Sequence, residues 1–324
     1  MSLAINATTS SGIVLAADSR QSYRNRKGMA RIGSDNASKL FQLNQRIGCA
    51  VTGIAFLPSK EGIKNISAFI DEFKRVKKVN RLNVEEMSSK LHEFFENKYN
   101  WKTPLQKLKD LIKQDLESKK LELIGDFEED VGILKFKFKD KTGKEQQGIA
   151  GVDRIDVVVA GFNYDGSHQV FVCNIPGGIH KKRDSKEQGK EFGASWIGQT
   201  DVVSRIVLGW DNRMFNLPFV YEAVKNLGEE QIIKQLRGLE YQISWGTMTL
   251  QDAIDFCTLA IRTTEAIQRF SDGIAMDPGD IPGVGGDIDV AVITRKKGFI
   301  WIKKKNIIVD GKEVIIDDLP DFKP

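Results

Sequence analysis

Two short apolar runs open the chain, and each carries a charge where the pattern asks for another apolar residue. Ser2–Thr9 and Ile13–Arg20 flank Ser10-Ser11-Gly12, which signals a β-hairpin. Strand alternation puts Val14, Ala16, Asp18 and Arg20 on one face, so Asp18 extends an apolar face. Lys39–Leu43 and Arg46–Thr52 form a second pair around Asn44-Gln45, and Lys39 shares a face with Phe41 and Leu43. A charge taken out of water is costly unless it is paired. Two inward charges of opposite sign on neighbouring strands are therefore expected to be partners. On spacing alone they are either a salt bridge at a sheet end or part of a site.

Four short strands in the first fifty residues predict an antiparallel sheet at the start of the fold. Helices follow. Ile63, Ile66, Phe69, Ile70 and Phe73 recur at helical spacing, as do Val84, Met87, Leu91, Phe94 and Phe95 behind an N-cap at Asn83 with Glu86 three residues on. Thr103-Pro104 starts a third helix. The stretch 101–152 then changes character: Leu134, Phe136 and Phe138 alternate with Lys135, Lys137 and Lys139, which predicts a half-exposed hairpin within an insertion. Apolar strands return at IDVVVAGF and QVFVCNI. A helix follows Gln199-Thr200-Asp201, a longer one runs from a Thr249 cap to Ile267, and IDVAVIT and GFIWI close the pattern. Strands, helices, strands, helices, strands read as a single α+β domain over 1–324, with sheets stacked between helix layers. The one long loop is Asp272–Gly286, rich in Gly, Pro and Asp.

Bulk properties exclude several classes. The chain has 324 residues, 41% hydrophobic and 28% charged, with a net charge of +4, so its mixed surface does not suit nucleic acid. No apolar stretch nears the roughly 18 residues of a membrane span, and the first residues do not read as a signal peptide. Cys49, Cys173 and Cys257 lie far apart in apolar runs, which fits a reducing cytoplasm and leaves no disulfide framework or metal-ligand spacing. No metal or other cofactor is expected.

Ser2 is the candidate nucleophile. Serine is small, so removal of Met1 is expected, leaving hydroxyl and α-amine on one residue. That amine has an ordinary pKa of about 7.7–8.0 and is substantially unprotonated near neutral pH, so it can act as general base. A Lys39 ammonium nearby lowers the amine's proton affinity by like-charge repulsion and favours the alkoxide as it develops. Asp18 holds Lys39 charged and fixed. Gly53, at the end of its strand, is suited to offer a backbone N–H to an oxyanion. The three histidines, His92, His168 and His180, lie in no nucleophile-elbow or HExxH context.

At these residues the chain resembles the proteasome β-subunit family of N-terminal-nucleophile hydrolases. The stretches that carry the resemblance are SSGIVLAADSR, SKLFQLNQRIGCAVTG, TLQDAIDFCTLAIRTTEAI and GGDIDVAVIT, in family order, over roughly residues 2–75 and 150–303. Ser2 falls where the family has its N-terminal threonine. Asp18, Arg20, Lys39 and Gly53 match its aspartate, arginine, lysine and oxyanion glycine, and Val51 matches a position lining the specificity pocket. The resemblance implies a four-layer αββα sandwich, cytoplasmic location, self-association into a ring or stacked rings, and hydrolysis of amide bonds without a cofactor. It names no ATPase partner.

The chain also departs from the family, which points to a bacterial proteasome-like branch. Serine replaces threonine and lacks the methyl that helps fix χ1. Gly198-Gln199-Thr200 stands where the family has a Gly-Ser-Gly turn, and the residue that orients the terminal amine falls on Gln268 by helix alignment, with Asp272 the nearest carboxylate. Two alternatives to a peptidase stay open: an inactive scaffold subunit and a small-molecule amidase. An α-type scaffold carries a helical extension before its first strand. The chain as read opens on that strand and keeps Asp18 with Lys39, which favours activity.

Overall fold

Period-two burial and helix caps together set the order of elements in the computed structural model, which describes residues 2–25, 27–274, 277–278, 281–309 and 312–314. Met1 lies outside the described residues, as do 275, 276, 279 and 280 of the long loop. The chain opens with β1 (Leu3–Thr9), β2 (Gly12–Ala17), β3 (Gln21–Arg24), β4 (Ala30–Ser34), β5 (Leu40–Gln42), β6 (Ile47–Gly53), β7 (Phe56–Ser59) and β8 (Gly62–Asn65). Helices α1 (Ile66–Val76), α2 (Val84–Lys98) and α3 (Lys102–Ser118) follow, then β9 (Glu122–Asp130), β10 (Ile133–Lys139) and β11 (Glu145–Gly151). The second half holds β12 (Ile155–Phe162), β13 (His168–Ile175), β14 (Ile179–Asp184), β15 (Gly193–Gly198), α4 (Asp201–Leu208), α5 (Pro218–Leu227), α6 (Glu229–Leu236) and α7 (Leu250–Phe270). The pair β16 (Gly273–Ile274) and β17 (Asp277–Pro278) precedes β18 (Asp289–Thr294) and β19 (Gly298–Lys303).

The fold is mixed α/β, with two five-stranded antiparallel sheets at its centre. One runs β15-β1-β2-β18-β19, the other β14-β13-β12-β6-β5. The first fifty residues therefore do not make one sheet, as their strand pattern suggests. The hairpin β1–β2 lies in the first sheet and β5–β6 in the second. The reason is the double-sided burial of β2: Ile13, Leu15 and Ala17 pack with Leu40 and Ala50 of the other sheet in a shared core, while Val14 and Ala16 belong to a separate core with α4 and α7. A third core joins the outer face of the second sheet to α1 and α2 through Cys49, Val51, Val157, Phe73, Met87 and Phe95. At about 25 cal/mol per Å2 of apolar surface, these faces supply the main drive to fold.

Helix ends follow their side chains. Asn83 and Glu86 form a reciprocal capping box at α2, and Thr249 and Asp252 do the same at α7. Helix α1 starts at Ile66, behind an Asn65 cap, so Ile63 belongs to the β7–β8 ribbon and is 78% exposed. Helix α3 begins at Lys102. Within 101–152 the hairpin expected from the Phe/Lys alternation is the centre of a three-stranded sheet, β11-β10-β9, beside α3. The loop Asp272–Gly286 contains the short antiparallel pair β16–β17. Among the described residues, no helix is long and apolar enough to cross a membrane.

Candidate active site

The end of β2 places one buried carboxylate among four donors. Asp18 is fully buried. Its Oδ1 accepts the Leu3 N–H at 2.9 Å and Lys39 Nζ at 2.8 Å. Its Oδ2 accepts the Gly285 N–H at 3.0 Å and the Arg20 N–H at 3.2 Å. A carboxylate so surrounded is held in a single orientation. Lys39, immediately before β5, is 7% exposed and also donates to the Arg20 carbonyl. Burial pushes the Lys39 ammonium below the usual lysine range; Asp18 opposes that push, and Lys305 and Arg20 add to it.

Arg20 turns outward from this pair. Its guanidinium grips Asp35 with both carboxylate oxygens, at 2.7 and 3.0 Å. The hydrogen bond between them holds Arg20 above and Asp35 below their ordinary proton affinities. A second buried ion pair lies at the start of β18. Asp289 faces Ala17 across the ladder, and its carboxylate accepts both the backbone N–H and the ammonium of Lys305.

Ser2 sits beside the Asp18–Lys39 pair. It is 6% exposed, and its carbonyl accepts the Gln199 N–H at 2.7 Å. Ser2 and Lys39 line a cavity of about 790 Å3, together with Val51, Thr52 and Gly53 at the end of β6. The ribbons β3–β4 and β7–β8, the loop with Asn36, Ala37 and Ser38, Ile54 and Ala55, and the start of α1 supply the remaining walls. Gly53 has φ +92°, and a β-carbon there would lie 1.9 Å from the Arg154 carbonyl oxygen, so only glycine fits. The same holds at Gly198, where φ is +91° and a β-carbon would meet the Ser2 carbonyl oxygen at 2.1 Å.

Two glutamines support this end of the sheet. Gln268, on the last turn of α7, accepts the Gly283 and Val284 N–H groups at 2.9 Å each and donates through Nε2 to Gln199 Oε1. It thereby ties the turn that supplies Gly285 to Asp18 to the residue that holds the Ser2 carbonyl. Asp272 is exposed, beyond the end of α7.

The structure thus brings Ser2, Lys39, Val51 and Gly53 to one cavity, sets Asp18 behind Lys39 with Arg20 and Gln199 close by, and leaves Asp272 at the surface. Sequence reasoning passed over the walls: β3–β4 and β7–β8 are short and without clear alternation. It also passed over Asp35, Gly285 and the Asp289–Lys305 pair. The run Pro282-Gly283-Val284-Gly285-Gly286 was the available signal for backbone approaching a site.

The other candidate nucleophiles lie elsewhere. All three cysteines are buried in the cores, and burial pushes the Cys173 thiol up to about 12. None of the three histidines lines the cavity. Among the described residues no cluster of three or more His, Cys, Asp or Glu side chains is arranged to hold a metal ion.

No family model matches the chain, and no curated protein matches it. Among solved structures, Anbu (ancestral beta-subunit) from Yersinia bercovieri aligns with 94% of this chain and 88% of its own, at 12% sequence identity and a TM-score of 0.44. No residue's role is carried over from a likeness at that level.

Proposed function

We propose that the chain is a proteasome-like N-terminal-nucleophile hydrolase that cleaves amide bonds of peptides through Ser2, exposed by loss of Met1. One observation carries this reading: the buried Asp18–Lys39 pair beside Ser2 on the wall of a large cavity. A buried ion pair is a poor way to gain stability, because desolvation offsets the attraction. Its position beside a small hydroxyl residue in a cleft gives it chemical use.

The Ser2 Oγ attacks the amide carbonyl carbon while the α-amine takes the hydroxyl proton. The carbonyl π electrons move to oxygen, and the backbone N–H at Gly53 stabilises that oxyanion. Lys39 favours the developing alkoxide and keeps the neighbouring amine neutral by like-charge repulsion. Collapse breaks the C–N bond, and the amine-derived proton goes to the leaving nitrogen. Water then attacks the acyl-ester with the α-amine again as base, which frees the acid and restores Ser2.

The same reading includes a four-layer αββα arrangement, with α4 and α7 outside one sheet and α1 and α2 outside the other. It also includes Val51 at the substrate pocket, stretch 101–152 as an insertion in a single domain, ring-type self-association and a cytoplasmic setting. The experiment is acylation by a β-lactone followed by intact mass: a single adduct on protein lacking Met1, absent in Ser2→Ala, is expected. Met1 retained, or no adduct, turns the reading to an inactive scaffold.

A further inference from the structure

We propose that the cavity beside Ser2 selects an uncharged, hydrogen-bonding acyl side chain, a carboxamide or a hydroxyl, over a carboxylate or an ammonium. This rests on the hydrolase reading of Ser2 and extends it to substrate class.

Among the described residues the lining holds no carboxylate. A basic side chain entering it would lose water with no counter-ion to meet. The one ammonium on the wall among the described residues, Lys39, is already held by Asp18 at 2.8 Å and by the Arg20 carbonyl. Arg20 and Asp35 satisfy each other outside the lining. The start of α1 faces the cavity, and a helix N-terminus can attract an anion. Here two of its donors are engaged, which weakens that pull: the Asn65 side chain caps the Ala68 N–H at 3.2 Å, and the Ala55 carbonyl accepts the Ile66 N–H at 3.0 Å. An acidic side chain would therefore also be desolvated without a free cation to meet it. An unpaired ion pays heavily for such a site.

Neutral polar groups fit better. Ser34, Asn36 and Ser38 line one wall. Thr52 lines the floor next to Gly53, is 3% exposed, and its Oγ1 is buried without a hydrogen-bond partner. A buried hydroxyl with no partner is costly, and rotation about the Thr52 χ1 to meet a ligand that supplies one recovers that cost. A hydroxyl both donates and accepts, so it matches a carboxamide or another hydroxyl. Tyr23, Phe56 and Ile63 stand exposed on the flanking ribbons and give the mouth an apolar edge for the stem of such a side chain.

The test uses peptidyl p-nitrophenyl esters that differ only in the acyl side chain: glutamine, threonine, leucine, glutamate and lysine. Acylation of Ser2 is followed by p-nitrophenolate release and by intact mass. Glutamine and threonine esters are expected to acylate at least about one hundred-fold faster than glutamate and lysine esters. Thr52→Val is expected to lower the glutamine-to-leucine rate ratio about ten-fold. Ser38→Asp is expected to raise the lysine ester relative to the glutamine ester. Ser2 adducts that form equally fast with glutamate or lysine overturn the selectivity and leave the hydrolase standing. No Ser2 adduct with any ester, and none with a β-lactone, overturns the hydrolase reading and this inference with it.

Discussion

Lys39 Nζ lies 2.8 Å from Asp18 Oδ1, with 8% of the lysine side chain exposed and none of the aspartate's. Breaking such a pair from one side leaves an uncompensated buried charge. Asp18→Asn is therefore expected to cost about 3–5 kcal/mol of folding free energy, read from denaturant midpoints. The double variant Asp18→Asn/Lys39→Met is expected to lose less than Asp18→Asn alone. A double variant at least as unstable as the single would show that the pair is not what holds this corner.

Lys39 also gives stability a pH dependence of definite sign. Burial, opposed by Asp18, leaves its folded proton affinity below the ordinary lysine value of 10.5. Between the folded value and 10.5 the unfolded chain binds more protons at this residue than the folded chain does, so stability rises with pH across that window. The burial penalty is present in full below the folded value and is relieved on the way up. Unfolding midpoints taken from neutral pH to 10.5 should show this rise in the natural chain and a flatter course in Lys39→Met.

Gly53→Ala tests the turn at the end of β6. The positive φ and the 1.9 Å approach to the Arg154 carbonyl leave no room for a methyl group. Destabilisation of more than about 1 kcal/mol is expected, together with loss of Ser2 acylation by a β-lactone. Full acylation in this variant would remove Gly53 from the oxyanion role.

Gln268→Ala removes the link between the 283–285 turn and Gln199. The core beneath α7 is untouched, because Ala253, Cys257, Ala260 and Ile261 carry its buried face. The thermal midpoint is expected to move little, while acylation of Ser2 slows roughly ten-fold for the lost orientation. The rate is followed by adduct mass against time. Asp272→Ala, which alters an exposed side chain, is expected to leave that rate as it was.

Much of this was legible in the chain, and the reasons are specific. Asp18 and Lys39 betray themselves as charges on apolar faces, and the structure pairs them. Helices α2 and α7 carry both a 3.6-residue period and a reciprocal cap, so their starts are read correctly at Val84 and Leu250. What the sequence hid is tertiary. Nothing local says that β1–β2 and β5–β6 enter different sheets; only the packing of Leu15 and Ala17 with Leu40 and Ala50 decides that. The cavity walls come from ribbons whose strands of four or five residues are too short to show a period. The segment with α5 and α6 gave no expectation either. Gln268 could be placed by alignment along α7, but its choice of partners depends on a loop 15 residues away in sequence.

The central claim is that Ser2, freed of Met1, is the nucleophile. Intact mass of the purified protein before and after a β-lactone tests it most directly. The expected result is a mass without Met1 that gains one adduct, with no gain in Ser2→Ala. A mass that keeps Met1, or an adduct that persists in Ser2→Ala, would contradict it.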